Sequence, residues 1–188
     1  MATVRWGLFG LVLAGTAAAQ ERGWPDLGVR PAATGGGDQD VALVIGIEDY
    51  AALEDIAGAK ANAQAWRSWL LYGRGLRSDR VRLLLDNEAT VTGITDAARE
   101  LAGKAKGGTF WIVFIGHGAP AKDQSEGVLA TWTAQQTERE FYPNALPQSQ
   151  LEAAAGGSSA RRCSSSMRAS VARGRPARCW SRDCPRRS

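Results

Sequence analysis

Three short, largely apolar runs alternate with two amphipathic stretches between residues 41 and 115. The first run, Val41-Ala42-Leu43-Val44-Ile45-Gly46-Ile47, has strand length and is closed by Glu48-Asp49-Tyr50. From Asp55 to Leu71 the apolar positions Ile56, Ala59, Ala63, Trp66 and Leu70 recur three and four apart, which predicts a helix with one buried face. Gly73 and Gly75 stop it. Val81 to Leu85 predicts a second strand, turned by Asp86-Asn87. Thr92 stands where it would cap a helix from Gly93 to about Ala105, with Ile94, Ala97, Ala98 and Leu101 inward. Gly107-Gly108 then leads into a third run, Thr109 to Ile115, followed at once by Gly116-His117-Gly118. Continuous β-branched and aromatic runs bounded by glycine mark interior parallel strands rather than half-exposed ones. The order strand, helix, strand, helix, strand predicts an α/β fold with a mostly parallel sheet joined by right-handed crossovers. Beyond it, residues 119–140 read as a polar loop with a short strand at Gly127 to Leu129. Leu146 to Ala155 reads as a further helix with Pro147 in its first turn.

The two ends of the chain differ from this body. Arg5, the apolar stretch Trp6 to Ala14 and the small residues up to Ala19 have the layout of a secretory signal peptide over residues 1–19. A membrane anchor is the alternative, although the apolar core is short for a bilayer span. Residues 20–40, rich in Gly and Pro, read as a flexible leader, and export to the periplasm or the extracellular space is expected. Of the 188 residues, 41–155 form the expected single domain. The net charge of +4 is unevenly spread: residues 157–188 hold nine arginines and one acid, which leaves the remainder mildly acidic. All three cysteines, 163, 179 and 184, lie in that stretch, and an odd count there makes a poor disulfide framework. The tail, residues 156–188, is therefore expected to be disordered.

His117 is the only histidine and carries the clearest chemical signal. It falls at the carboxyl end of a strand, where α/β sheets gather ligands and reactive groups, and its glycine neighbours allow close approach. It is either a structural residue bonded to its own loop or a general base. A zinc site needs three or four ligands, which a single histidine with no nearby partners does not supply. There is no Gly-x-Ser-x-Gly elbow and no phosphate loop, and Gly35-Gly36-Gly37 precedes a strand instead of following one. No metal and no cofactor are expected. The partner class left for a histidine base is a cysteine nucleophile.

Three segments carry a family resemblance: Ala42 to Ile47 with Tyr50, Leu84-Leu85-Asp86-Asn87-Glu88-Ala89-Thr90 with Ile94, and Phe114-Ile115-Gly116-His117-Gly118. In order and spacing the chain resembles the caspase and metacaspase cysteine peptidases over about residues 41–155. The resemblance implies a caspase-like three-layer fold, truncated after the third core strand, and a cysteine-type endopeptidase acting on protein or peptide substrates. It implies His117 as general base and the backbone N–H of Gly118 as an oxyanion donor. Asn62, in Ala59-Lys60-Ala61-Asn62-Ala63, stands where metacaspases that cut after Arg or Lys carry an Asp. It would contact the substrate side chain without adding charge, or else simply face solvent on its helix.

The family's nucleophile motif, of the form Asp-Ala-Cys-x-Ser-Gly, is expected about 50 residues beyond the histidine. It is absent there. Cys163, within Arg161-Arg162-Cys163-Ser164-Ser165-Ser166, has no apolar strand before it and no Ser-Gly turn after it. However, the residues Cys163 to Ala172 permit codons that read Leu-Val-Val-Asp-Ala-Cys-Phe-Ser-Gly when started from each third base. The hidden cysteine codon then straddles Arg168 and Ala169. This reading predicts a frame shift between about Leu151 and Arg161, a chain inactive as written, and an open apolar sheet edge beside the His117 strand. The alternative is a non-catalytic caspase-like module that binds peptides. Binding of nucleic acid through the arginine tail is not expected, since Trp180 is the tail's only aromatic residue. No membrane contact is expected beyond export.

Overall fold

The computed structural model describes residues 35–156, the isolated positions 27 and 33, and the backbone of Arg161–Met167. The expectations for residues 1–19, for most of 20–40, for Cys179 and Cys184 and for the chain past Met167 lie outside the described residues.

The body is the expected α/β sandwich. β1 (Val41–Gly46), β2 (Val81–Leu85) and β3 (Thr109–Ile115) form a parallel sheet in the order β2-β1-β3. β1 is central and buried along its whole length, which is why it reads as a continuous apolar run. Its side chains point alternately to the two faces. Val41, Leu43 and Ile45 pack with α2 (Val91–Lys104) and α4 (Gln148–Ala154), through Ile94, Ala98, Leu101 and Leu151. Ala42 and Val44 pack with Ala59, Ala63 and Trp66 of α1 (Ala59–Ser68) on the other face. Gly46 allows that approach: a β-carbon there would sit 2.6 Å from the Ala63 Cβ and 3.1 Å from the Ala59 carbonyl oxygen.

Several boundaries differ from the expectation, each for a local reason. α1 starts at Ala59 and not near Asp55, because Gly58 takes a left-handed φ of 84° and the Asp55 carboxylate accepts a hydrogen bond from the Tyr50 N–H at 3.0 Å. It continues past Ser68 as a π-helical turn, Trp69–Gly73, and Gly75 at φ 78° ends it. Thr90, not Thr92, caps α2: its hydroxyl accepts from the Gly93 N–H at 3.0 Å, and a β-carbon on Gly93 would lie 2.3 Å from the Glu88 carbonyl oxygen. Leu146 and Pro147 belong to a strand instead of a helix. β4 (Gly118–Pro120), β5 (Gly127–Ala130) and β6 (Ala145–Pro147) form a small antiparallel sheet, and only from Gln148 does α4 begin. Between β5 and β6 lies the short helix α3 (Glu138–Phe141).

The edge of β3, expected to be open, is occupied. The backbone of β7 (Arg161–Met167) runs parallel to it, in a register from Thr109 opposite Arg161 to Ile115 opposite Met167. Part of the tail expected to be disordered is thus a strand, held by main-chain hydrogen bonds that do not depend on an apolar sequence.

At the foot of the sheet, the last residue assigned to the leader is already structural. Asp40 is 4% exposed, and its carboxylate accepts from the Thr109 N–H at 2.8 Å, from Trp111 Nε1 at 3.0 Å and from Arg74 Nε at 3.2 Å.

Candidate functional site

The carboxyl ends of all three core strands open onto one end of the sheet: Glu48, Asp49 and Tyr50 follow β1, Asp86 follows β2, and His117 follows β3. His117 is half-buried and held at three points. Its main-chain N–H donates to the Tyr50 hydroxyl at 2.8 Å, and its carbonyl accepts from the Ala130 N–H at 3.0 Å. The Tyr50 hydroxyl in turn donates to the Ala130 carbonyl at 3.4 Å, which closes a ring through the three residues. The third point is the imidazole itself: Nε2 lies 2.7 Å from the Glu54 carbonyl oxygen. A carbonyl only accepts, so this contact assigns the ring hydrogen to Nε2 and leaves Nδ1 with its lone pair in the neutral imidazole.

Gly116 is what lets the ring close. A β-carbon there would stand 2.6 Å from the Tyr50 hydroxyl and 2.7 Å from the Phe114 ring. Tyr50 is 8% exposed and packs against the imidazole with ring centroids 5.0 Å apart. Burial pushes its phenol up to about 12, and the nearby Asp86 charge adds to this, while the His117 N–H works the other way. The phenol therefore stays a donor at ordinary pH. Gly118 is exposed at the start of β4, with Val128 carbonyl oxygen 3.3 Å from where its β-carbon would be.

Beside this ring, one lysine is bound by two carboxylates. Lys60 Nζ pairs with Asp49 and, at 3.0 Å, with Asp86, and both hydrogen bonds hold its ammonium well above the usual lysine range. Asp86, at a left-handed φ of 43°, also accepts from the N–H groups of Glu48 at 2.8 Å and Asp49 at 3.1 Å. Burial alone would raise its carboxyl, but these donors and Lys60 outweigh it and lower it. The Glu48 carboxylate accepts from the Lys60 N–H at 3.0 Å at the first turn of α1. These contacts pin the loop after β1 to the turn after β2.

Of the residues singled out from sequence, His117 and Gly118 are adjacent after β3, and Asn62 lies on α1. Asn62 is half-buried, its N–H donates to the Gly58 carbonyl at 3.0 Å, and among the described residues no hydrogen bond joins it to His117. Two parts of the His117 setting were missed. Asp55 was read as a helix start, and the Glu54 carbonyl, being backbone, leaves no sequence signal.

The backbone of Cys163 is paired within β7. It lies opposite Trp111, six residues before His117, which at a rise of about 3.3 Å per residue is roughly 20 Å along the strand.

A parallel sheet in the order β2-β1-β3, helices on both faces and a glycine-flanked histidine at the carboxyl end of β3 define a caspase-like α/β domain. The family model described as the caspase domain matches residues 39–144, more than half of the chain, and the chain belongs to that family of cysteine peptidases. No curated protein matches it.

Proposed function

We propose that this chain carries the base-bearing half of an exported, metacaspase-like cysteine endopeptidase, with His117 as the general base. The observation that carries the reading is the 2.7 Å contact between Nε2 and the Glu54 carbonyl, which leaves Nδ1 as the proton acceptor. In the reaction, Nδ1 takes the thiol proton and the thiolate adds to the scissile carbonyl. The oxyanion is met by the Gly118 N–H, and His117 returns the proton to the departing amine. Water then hydrolyses the thioester. Asn62 contributes an uncharged hydrogen-bonding group to substrate selection, which weakens any preference for Arg or Lys.

The nucleophile belongs to the second reading frame. Its cysteine codon straddles Arg168 and Ala169, just past Met167, while His117 lies two residues past Ile115, the partner of Met167. The second-frame cysteine falls about 50 residues beyond the histidine, the spacing the family resemblance implies for the nucleophile. Translating the encoding DNA in all three frames tests this directly, and absence of the Asp-Ala-Cys reading would sink it. The frame-corrected protein is expected to cleave protein substrates and to lose activity on His117→Ala or on Ala replacement of the restored cysteine. The chain as written is expected to show no turnover, and cleavage lost on Cys163→Ala would overturn that. If the DNA holds no second-frame motif, peptide binding without turnover would make the chain a binding module. Export is tested by the mature N-terminus, expected at Gln20.

A further inference from the structure

The loop between β1 and α1 reaches His117 twice. At its near end, the Tyr50 hydroxyl holds the His117 main chain at 2.8 Å. At its far end, the Glu54 carbonyl holds the His117 ring at 2.7 Å. One clasp fixes the span between these two contacts: the Asp55 carboxylate accepts from the Tyr50 N–H at 3.0 Å, next in sequence to the carbonyl that touches the ring. Below it, the Ile56 N–H donates to the Glu48 carbonyl at 2.9 Å. From the outside, Trp132 Nε1 donates to the Asp49 carbonyl at 2.8 Å, and the Ala51 N–H donates to the Trp132 carbonyl at 3.3 Å.

We propose that Tyr50 and Asp55 are positioning residues for His117: Tyr50 fixes its backbone, and Asp55 fixes the Glu54 carbonyl that selects the Nε2–H tautomer. The proposal rests on the reading of His117 as a base, since only the Nε2–H form presents an unprotonated Nδ1 to a thiol. It adds that this form is imposed by a six-residue loop and not by the histidine's own strand. A base held in the wrong tautomer donates where it must accept, so the clasp decides whether the site can take a proton at all.

His117 is the chain's only histidine, so a long-range 15N–1H spectrum of the full chain contains one imidazole pattern and needs no assignment. At alkaline pH the unaltered chain is expected to show a single Nε2–H tautomer. Asp55→Ala should shift that pattern towards the mixture of a free imidazole, and Asp55→Asn, which keeps an acceptor oxygen, should restore it. Tyr50→Phe removes only the hydroxyl and should speed hydrogen exchange at the His117 amide on the order of tenfold, the loss of one hydrogen bond. All three variants should melt as single transitions, and the Asp55 substitutions, at an exposed residue, should leave the melting temperature nearly unchanged. An Asp55→Ala spectrum superimposable on that of the unaltered chain would overturn the proposal and leave the base reading intact. An Nδ1–H tautomer in the unaltered chain would overturn both.

Discussion

β3 is gripped at both of its ends by side chains from the first strand's flanks, and the two grips differ in what they leave over. At the foot, Asp40 receives the Thr109 N–H, Trp111 Nε1 and Arg74 Nε, so that its carboxylate is met on both oxygens by donors. At the top, Tyr50 and the Glu54 carbonyl hold His117 just as closely, yet among the described residues no hydrogen bond engages the imidazole's Nδ1. Hydrogen bonding is similar at the two ends, so its presence alone does not separate structural from chemical roles. The unused valence does. A polar group whose partners are all supplied from within the fold is an anchor, and one held in place with a lone pair left unpartnered is equipped to react.

The comparison can be broken from either end. The largest effect is expected from Asp40→Ala, which strands two partly buried donors and the Arg74 charge. It should cost about 3 kcal/mol in denaturant unfolding, while the His117 tautomer stays unchanged. Next comes alkaline pH at the top. The folded phenol of Tyr50 is raised to about 12, so the folded state holds its proton more tightly than the unfolded state. That contribution is complete below about pH 10 and fades as pH rises towards 12, by up to about 3 kcal/mol. Unfolding followed across this window should be less steep with pH in Tyr50→Phe, and an unchanged slope would remove Tyr50 from the account. Gly116→Ala should cost about 2 kcal/mol, because the new methyl collides with the Tyr50 hydroxyl. Unlike the foot variant, it should also accelerate exchange at the His117 amide. Thr90→Ala touches neither end and serves as a control. Losing the α2 cap should cost about 1 kcal/mol in thermal melts, with no change in the imidazole spectrum.

The sheet and its helices were legible because burial on both faces leaves a plain mark. β1 and β3 are uninterrupted apolar runs, and Ile94, Ala97, Ala98 and Leu101 repeat with helical spacing. The strand end that carries His117 was legible for the same reason, since the run stops at a glycine. What escaped notice was built from backbone or from short polar side chains. The Glu54 carbonyl has no residue type to betray it. Asp55 looks like a helix start, yet its oxygen is already taken by Tyr50. Ala145-Leu146-Pro147 is too short to distinguish a strand from the first turn of a helix, and pairing with β5 decided it. β7 was hardest, because Arg-Arg-Cys-Ser-Ser-Ser-Met carries no strand-like hydropathy and lies where it does through its main chain.

That last strand has a consequence for how the domain tolerates genetic error. The flank of β3 offers a ladder of peptide donors and acceptors, and every reading frame encodes the same peptide group. A frame change upstream of β7 would therefore rewrite the residues along this edge while the backbone seat on β3 persists. The first three strands behave as a mould indifferent to codon phase, so a change of the side chains along this edge need not be a lost fold.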